Sequence, residues 1–239
     1  MYHLHPRKAL LSTKTCVRYV RVLFSSLVGG GPLVYGRGDE PILALSGFYP
    51  EDAPAVNLLA FVVYQQARGM LDVPPLAAVP IVNEKAFLEG PAVGEGGDIY
   101  FDFLELKTEV VREINRYYHA SRPRVVVVFQ GGKEFEVVAT TDLAAEMLSV
   151  KKITPSPHTP EGAFTLKYSH GIVVRIPPNP REFYIISKHI ADLLRVAAKL
   201  PPVERRPVKV EKRPIYLLHG GKEVDDGVIL DNDVHIYLG

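Results

Sequence analysis

Two stretches of the chain carry the same order of residues, and that order limits what it can fold into. The first runs Val125-Val126-Val127-Val128, a turn, Lys133-Glu134-Phe135-Glu136-Val137-Val138-Ala139, then Asp142-Leu143-Ala144-Ala145-Glu146-Met147-Leu148. The second runs Ile172-Val173-Val174-Arg175-Ile176, a turn, Arg181-Glu182-Phe183-Tyr184-Ile185-Ile186-Ser187, then His189-Ile190-Ala191-Asp192-Leu193-Leu194. Each reads as a β-hairpin followed by a helix. Residues 33–69 repeat the order without the residue match. Leu33-Val34-Tyr35 and Ile42-Leu43-Ala44-Leu45 flank a Gly- and Pro-rich turn. A helix follows, capped by Asp52, with Pro54 in its first turn, and continues to Gly69. The expected class is α+β, built of repeated β-β-α units; duplication and the recurrence of a common unit explain the order equally.

The remaining segments are read from local pattern. Arg7 to Phe24 is a strand, or a short helix then a strand; its β-branched and aromatic residues do not separate the two. Residues 72–98, rich in Pro and Gly, form a crossing loop with a short strand at Ala78–Val82, and Ile99–Phe103 is a strand. Leu106, Val110, Ile114 and Tyr117 recur at helical spacing, which predicts an amphipathic helix over 104–119 whose other face carries Arg112, Arg116 and His119. Pro155, Pro157 and Pro160 mark the best boundary. The expected lobes are 1–155 and 163–239.

Composition narrows the partners and the compartment. With 28 basic and 27 acidic side chains, the chain has no global field to gather nucleic acid or a membrane surface, so such a site must be a local patch. A single cysteine, Cys16, excludes an internal disulfide and reads as a small core residue. No apolar stretch reaches the length of a membrane span, and the expected location is the cytoplasm. Three Gln, three Met and no Trp, against abundant Val and Pro, fit a heat-adapted source.

The tail carries a family resemblance. From Ile215 it reads a strand, the Gly220-Gly221 turn, the acidic crossing Glu223 to Asp226, then Leu230-Asp231-Asn232-Asp233-Val234-His235-Ile236 leading a closing strand. This resembles the end of the β-grasp fold of ubiquitin and the small sulfur carriers. With a hairpin at 172–187 and a helix at 188–200 before it, the resemblance implies a C-terminal β-grasp-like lobe over 163–239. It also makes Gly239 a candidate reactive terminus, although the chain ends in one glycine rather than two.

A second likeness lies at Asp98-Ile99-Tyr100-Phe101-Asp102-Phe103-Leu104-Glu105, followed by Gln130-Gly131-Gly132-Lys133. Archaeo-eukaryotic primases similarly place acidic metal ligands at a strand end before a Gly turn that meets phosphates. The resemblance implies Asp102 and Glu105 as catalytic candidates holding Mg²⁺, although the same acids serve equally as helix caps. Arg112, Arg116, Arg122 and Arg124 are the nucleic-acid-binding candidates, a basic face that also suits plain solvation. No nucleophile elbow, phosphate-loop signature or zinc-ligand spacing is present. The expected function is a non-catalytic protein-interaction or accessory subunit with a protein partner and no cofactor. The alternatives are a nucleic-acid-binding or primase-like protein, with Mg²⁺, and a sulfur carrier or modifier acting through Gly239.

Overall fold

The computed structural model describes residues 13–28, 42–90, 109–155, 169–178 and 183–203, and beyond them four short strands. The chain divides into two units, Met1–Val203 and Glu204–Gly239.

The first unit is organised by a sheet of six strands: β1 (Ile42–Leu45), β2 (Leu76–Val79), β3 (Val125–Gly131), β4 (Glu136–Ala139), β5 (Lys151–Lys152) and β6 (His170–Ile176). Their order is β2-β1-β3-β6-β4-β5. The first four in that order are mutually parallel, β4 runs antiparallel to β6, and β5 runs parallel to β4. The composition of the strands follows from this placement. A parallel sheet has both faces covered, so its strands are continuous apolar runs without polar alternation. Ile42-Leu43-Ala44-Leu45, Leu76-Ala77-Ala78-Val79 and Val125-Val126-Val127-Val128 are all buried.

Helices cover each face. Against one lie α1 (Thr13–Val28), α2 (Ala53–Ala67) and α6 (Phe183–Ala197), whose Cys16, Val20, Leu59, Val63, Ile190 and Leu194 pack with Ile42, Ala44, Val127, Phe129 and Ile172. Against the other lies α4 (Glu109–Ser121), whose Val111, Ile114 and Tyr118 pack with Leu43, Leu45, Ala77, Val126 and Val128. Two short helices complete the unit. In α3 (Glu84–Glu89), Asn83 caps the first turn by accepting from the Ala86 N–H at 3.0 Å. In α5 (Asp142–Leu148), Thr141 does the same for Ala144 at 3.4 Å. An ion pair joins Arg21 of α1 to Glu84 of α3 at 2.5 Å, exposed and therefore of modest worth.

The α+β class stands, with a mixed sheet, but the repeated unit does not. Residues 170–176 enter the central sheet between β3 and β4 rather than pairing in a local hairpin, and residues 183–197 are one helix. Ile186, Ile190 and Leu194 are buried at helical spacing, and that burial overrides the β-propensity of Tyr184, Ile185 and Ile186. With its hairpin gone, the β-grasp-like lobe is not formed as expected. In the second unit, β7 (Leu217–His219) pairs with β8 (Lys222–Val224), and β9 (Val228–Leu230) with β10 (Val234–Ile236), as two antiparallel pairs in separate sheets.

Three further segments differ from expectation. Thr13–Val28 is a single helix with Cys16, Val17 and Val20 on its buried side. On both sides β1 has parallel neighbours, so the expected hairpin with 33–35, which lie outside the described residues, is not its pairing in the sheet. The short strand expected at 78–82 is centred on Leu76–Val79, and α3 follows it. The strand expected at 99–103 and the start of the helix expected at 104 lie outside the described residues. Among the described residues, no helix is long and apolar enough to cross a membrane.

Phe129 is fully buried at the end of the central strand. Phe129→Ala is expected to cost about 3–5 kcal/mol of folding free energy, measured by urea unfolding.

Candidate functional site at the strand ends

The direction of the chain points to one place on the sheet. β1 leaves through a 3-10 turn (Pro50–Asp52) and α2 toward β2 on one flank, whereas β3 leaves toward β6 and β4 on the other. Adjacent parallel strands whose exits diverge open a crevice beyond their carboxyl ends, where open α/β sheets bind ligands.

Asp52 lies at that divergence and is 2 % exposed. Its Oδ2 accepts from the backbone N–H groups of Phe48 and Tyr49, both at 3.0 Å, and its Oδ1 accepts from the Gly131 N–H at 2.8 Å. One carboxyl group thus ties the loop after β1 to the end of β3. Burial pushes its pKa up from 3.8 to about 6, aided by the nearby Glu51 charge and opposed by the three amides. The fit of the backbones is close. A Cβ on Gly131 would lie 2.0 Å from the Glu51 carbonyl oxygen, so no side chain fits there. Gly47 has φ +71°, and a Cβ on it would lie 2.7 Å from the Ile81 Cα, which lets the exits of β1 and β2 run together. There Ser46 N–H donates to the Val79 carbonyl and Val82 N–H to the Ser46 carbonyl, both at 3.0 Å. The Ser46 hydroxyl donates to the Phe129 carbonyl at 2.9 Å and fixes β1 to β3. Half-buried Tyr49, Gln130 and Gly131 and exposed Glu51 belong to these same strand exits.

The structure disperses the residues singled out from sequence. Asp102, Glu105 and Gly239 lie outside the described residues. Arg112 and Arg116 are exposed on α4, Arg122 follows it with φ 49°, and Arg124 directs Nη1 to the Leu200 carbonyl at 3.5 Å. Gln130 and Gly131 are the last residues of β3 rather than a hairpin turn, because β6 separates β3 from β4, and the Gly131 N–H meets Asp52. Sequence reading took Asp52 only as a helix cap; it makes no side-chain cap bond to α2. The available signal was an acid placed just after the wholly apolar run Ile42–Leu45. Cys16 is buried, its thiol donates to Asn57 Oδ1 at 3.3 Å, and burial pushes it up to about 12, which leaves it inert.

No protein-family profile matches the chain. No curated protein matches its sequence. Solved structures do match its fold. A proposed metallopeptidase from Shewanella baltica OS155 superposes with a TM-score of 0.50 at 11% identity, over 77% of this chain and 91% of that one. The murein-tripeptide amidase of Escherichia coli O157 gives 0.46 at 16% identity, over 69% and 83%. The succinylglutamate desuccinylase of Chromobacterium violaceum gives 0.47 at 15% identity, over 72% and 65%.

The first of these likenesses, one of fold, replaces the β-grasp and primase resemblances. The non-catalytic accessory subunit, along with its nucleic-acid and sulfur-carrier alternatives, is withdrawn with the resemblances it rested on, since the fold shared at a TM-score of 0.50 is that of a proposed metallopeptidase. The expectation of no cofactor, with Mg²⁺ kept for a primase-like reaction, falls with them, since a proposed metallopeptidase shares the fold.

Two substitutions test the junction. Gly131→Ala forces a methyl group against the Glu51 backbone and is expected to cost about 3 kcal/mol, read by urea unfolding. Asp52 has a folded pKa raised above 3.8, so the stability tied to it is full below 3.8 and is lost as pH rises through about 6. Relative to Asp52→Asn, the wild type is therefore expected to gain about 3 kcal/mol between pH 7 and pH 3. A difference that is flat over that range contradicts the raised pKa.

Proposed function

We propose that the chain is a hydrolase of amide bonds whose reaction centre is the crevice at the carboxyl ends of β1 and β3. The observation that carries this reading is Asp52, a buried carboxyl with a pKa near 6 at the point where the strand exits diverge. The kind of bond rests on analogy of fold with a proposed metallopeptidase.

The hydrogen bonds assign roles to the two carboxylate oxygens. Oδ2 accepts two amides, which fill its lone pairs, whereas Oδ1 accepts one and keeps a lone pair for a proton. At neutral pH the group is largely ionised yet close to its pKa, the condition under which proton transfer is most effective. Oδ1 takes a proton from the water that attacks the amide carbon, and returns it to the nitrogen as the carbon–nitrogen bond breaks. Asp52 also holds the Phe48, Tyr49 and Gly131 amides in place, and so fixes the rim beside the reacting group.

A metallopeptidase fold raises the question of a metal. Among the described residues, no three His, Cys, Asp or Glu side chains gather to hold one. Asp52 Oδ2 is committed to two amides and Oδ1 to one, which leaves a single lone pair and no second ligand beside it among the described residues. The described residues alone do not fit a metal ion, and no step is routed through one.

The test is release of amine from a panel of peptides and N-acyl amino acids by the purified chain. Hydrolysis is expected, with an acid limb inflecting near pH 6, and Asp52→Asn is expected to lose about a hundredfold or more while keeping its circular dichroism. Undiminished hydrolysis by a folded Asp52→Asn, or no release from any amide, overturns the proposal.

A further inference from the structure

The carboxyl ends of the strands hold a charged side chain to which the hydrolytic reading gives no task. β6 lies inside the sheet, between β3 and β4, and six of its seven residues are buried; Arg175 is the exception. Ile172, Val174 and Ile176 pack on the face covered by α1, α2 and α6, so alternation puts Arg175 on the face of α4. In register it stands between Gln130 of β3 and Glu136 of β4. The three residues form a polar row across adjacent strands at the end of the sheet where Asp52 lies.

The end of β3 links this row to Asp52. The Gly131 N–H turns to Asp52, and the next N–H, of Gly132, turns the other way to the Ile176 carbonyl at 3.0 Å. Asp52 is therefore on one flank of β3 and β6 on the other, which starts the Arg175 side chain one strand spacing, roughly 5 Å, from the backbone that Asp52 holds. Gly132 makes room for its stem: a Cβ there would lie 2.8 Å from the Arg175 Cβ. The fold itself gains little from the charge. A valine in a strand covered on both faces buries apolar area without having a charge to solvate. Arg175 Nη1 is ion-paired with Glu136 Oε2, but the two side chains are 37 % and 46 % exposed, and so exposed a pair contributes little to stability.

We propose, resting on the hydrolytic reading above, that Arg175 is the specificity-determining residue of the crevice: it exchanges Glu136 for a carboxylate carried by the amide substrate and so holds the scissile amide beside Asp52. The guanidinium is a planar fork of five N–H donors that matches a carboxylate through two parallel bonds, whereas the bond to Glu136 uses Nη1. Exchange costs little, because Glu136 is half-exposed and returns to water. The short path between Arg175 and Asp52 requires the carboxylate to lie a few bonds from the scissile amide, and neutral amides have no such anchor.

The probes are N-acetylalanine and its uncharged carboxamide, titrated at pH 7.5 into the full chain, both wild type and Asp52→Asn, with dissociation constants read by NMR. The acid is expected to bind about tenfold more tightly than the carboxamide in both proteins. Arg175→Gln is expected to abolish that preference, and Lys133→Gln, which removes an exposed cation from the connection after β3, to keep it. Glu136→Gln removes the internal competitor and is expected to tighten the acid about threefold, a gain that an ion pair with only a structural role does not give. Equal affinity for the two probes, binding of neither, or a preference that survives in Arg175→Gln with wild-type circular dichroism overturns the proposal. The two readings fail separately. Acid-selective binding without hydrolysis by the wild type keeps Arg175 as a carboxylate anchor and removes the hydrolase; equal binding and hydrolysis of acid and carboxamide remove the anchor and leave Asp52 in its role.

Discussion

The first unit depends on one carboxyl group holding apart-running strands together. Asp52 takes three backbone amides from two segments and so bonds the loop after β1 to the end of β3. The opposing forces are of similar size. Hydrogen bonds to a charged acceptor contribute about 1.5–3 kcal/mol each, and taking a carboxylate out of water costs several kcal/mol. Their balance leaves a carboxyl that protonates near pH 6, so the same group serves as a structural tie and a proton store. Glycine makes this approach possible, because only a residue without Cβ lets Gly131 meet the Glu51 carbonyl.

The sheet explains why that junction is where it is. Four parallel strands require crossovers; the crossover helices α2 and α4 lie on opposite faces, and α1, before β1, and α6, after β6, pack on the same face as α2. The chain moves outward from β1 to β2 and then returns to place β3 on the other side of β1. That reversal marks the place where open α/β sheets bind ligands. β6 then enters between β3 and β4, and its first residue, His170, lies at the opposite end of the strands from the Asp52 junction, beside the capped start of α5.

Much of the secondary structure was legible in the sequence, and much of the topology was not. The helix from Ala53 was readable from Pro54 and its apolar residues, and α4 from Ile114 and its exposed Arg112 and Arg116. Val125–Val128 was readable as a strand because a run of β-branched residues has few alternatives. Its neighbours were not readable, since a continuous apolar run serves hairpin and parallel pairing alike. The segment 183–187 misled because its local propensity favours strand, while its contacts, through Ile186 and Ile190, favour helix. The site was legible only in pieces. Gln130-Gly131-Gly132 stood out as a turn and Asp52 as a cap, but pairing them requires knowing that β1 and β3 are adjacent.

The account rests on the proton affinity of one group, and the most direct measurement is a carbon-13 NMR titration of the Asp52 carboxyl in the folded chain. A midpoint near pH 6 is predicted, with the Gly131 amide shift following the same curve. A midpoint at or below 3.8, the ordinary value for the side chain, contradicts the account, because the amides would then outweigh burial and leave a permanently charged tie with no proton to exchange.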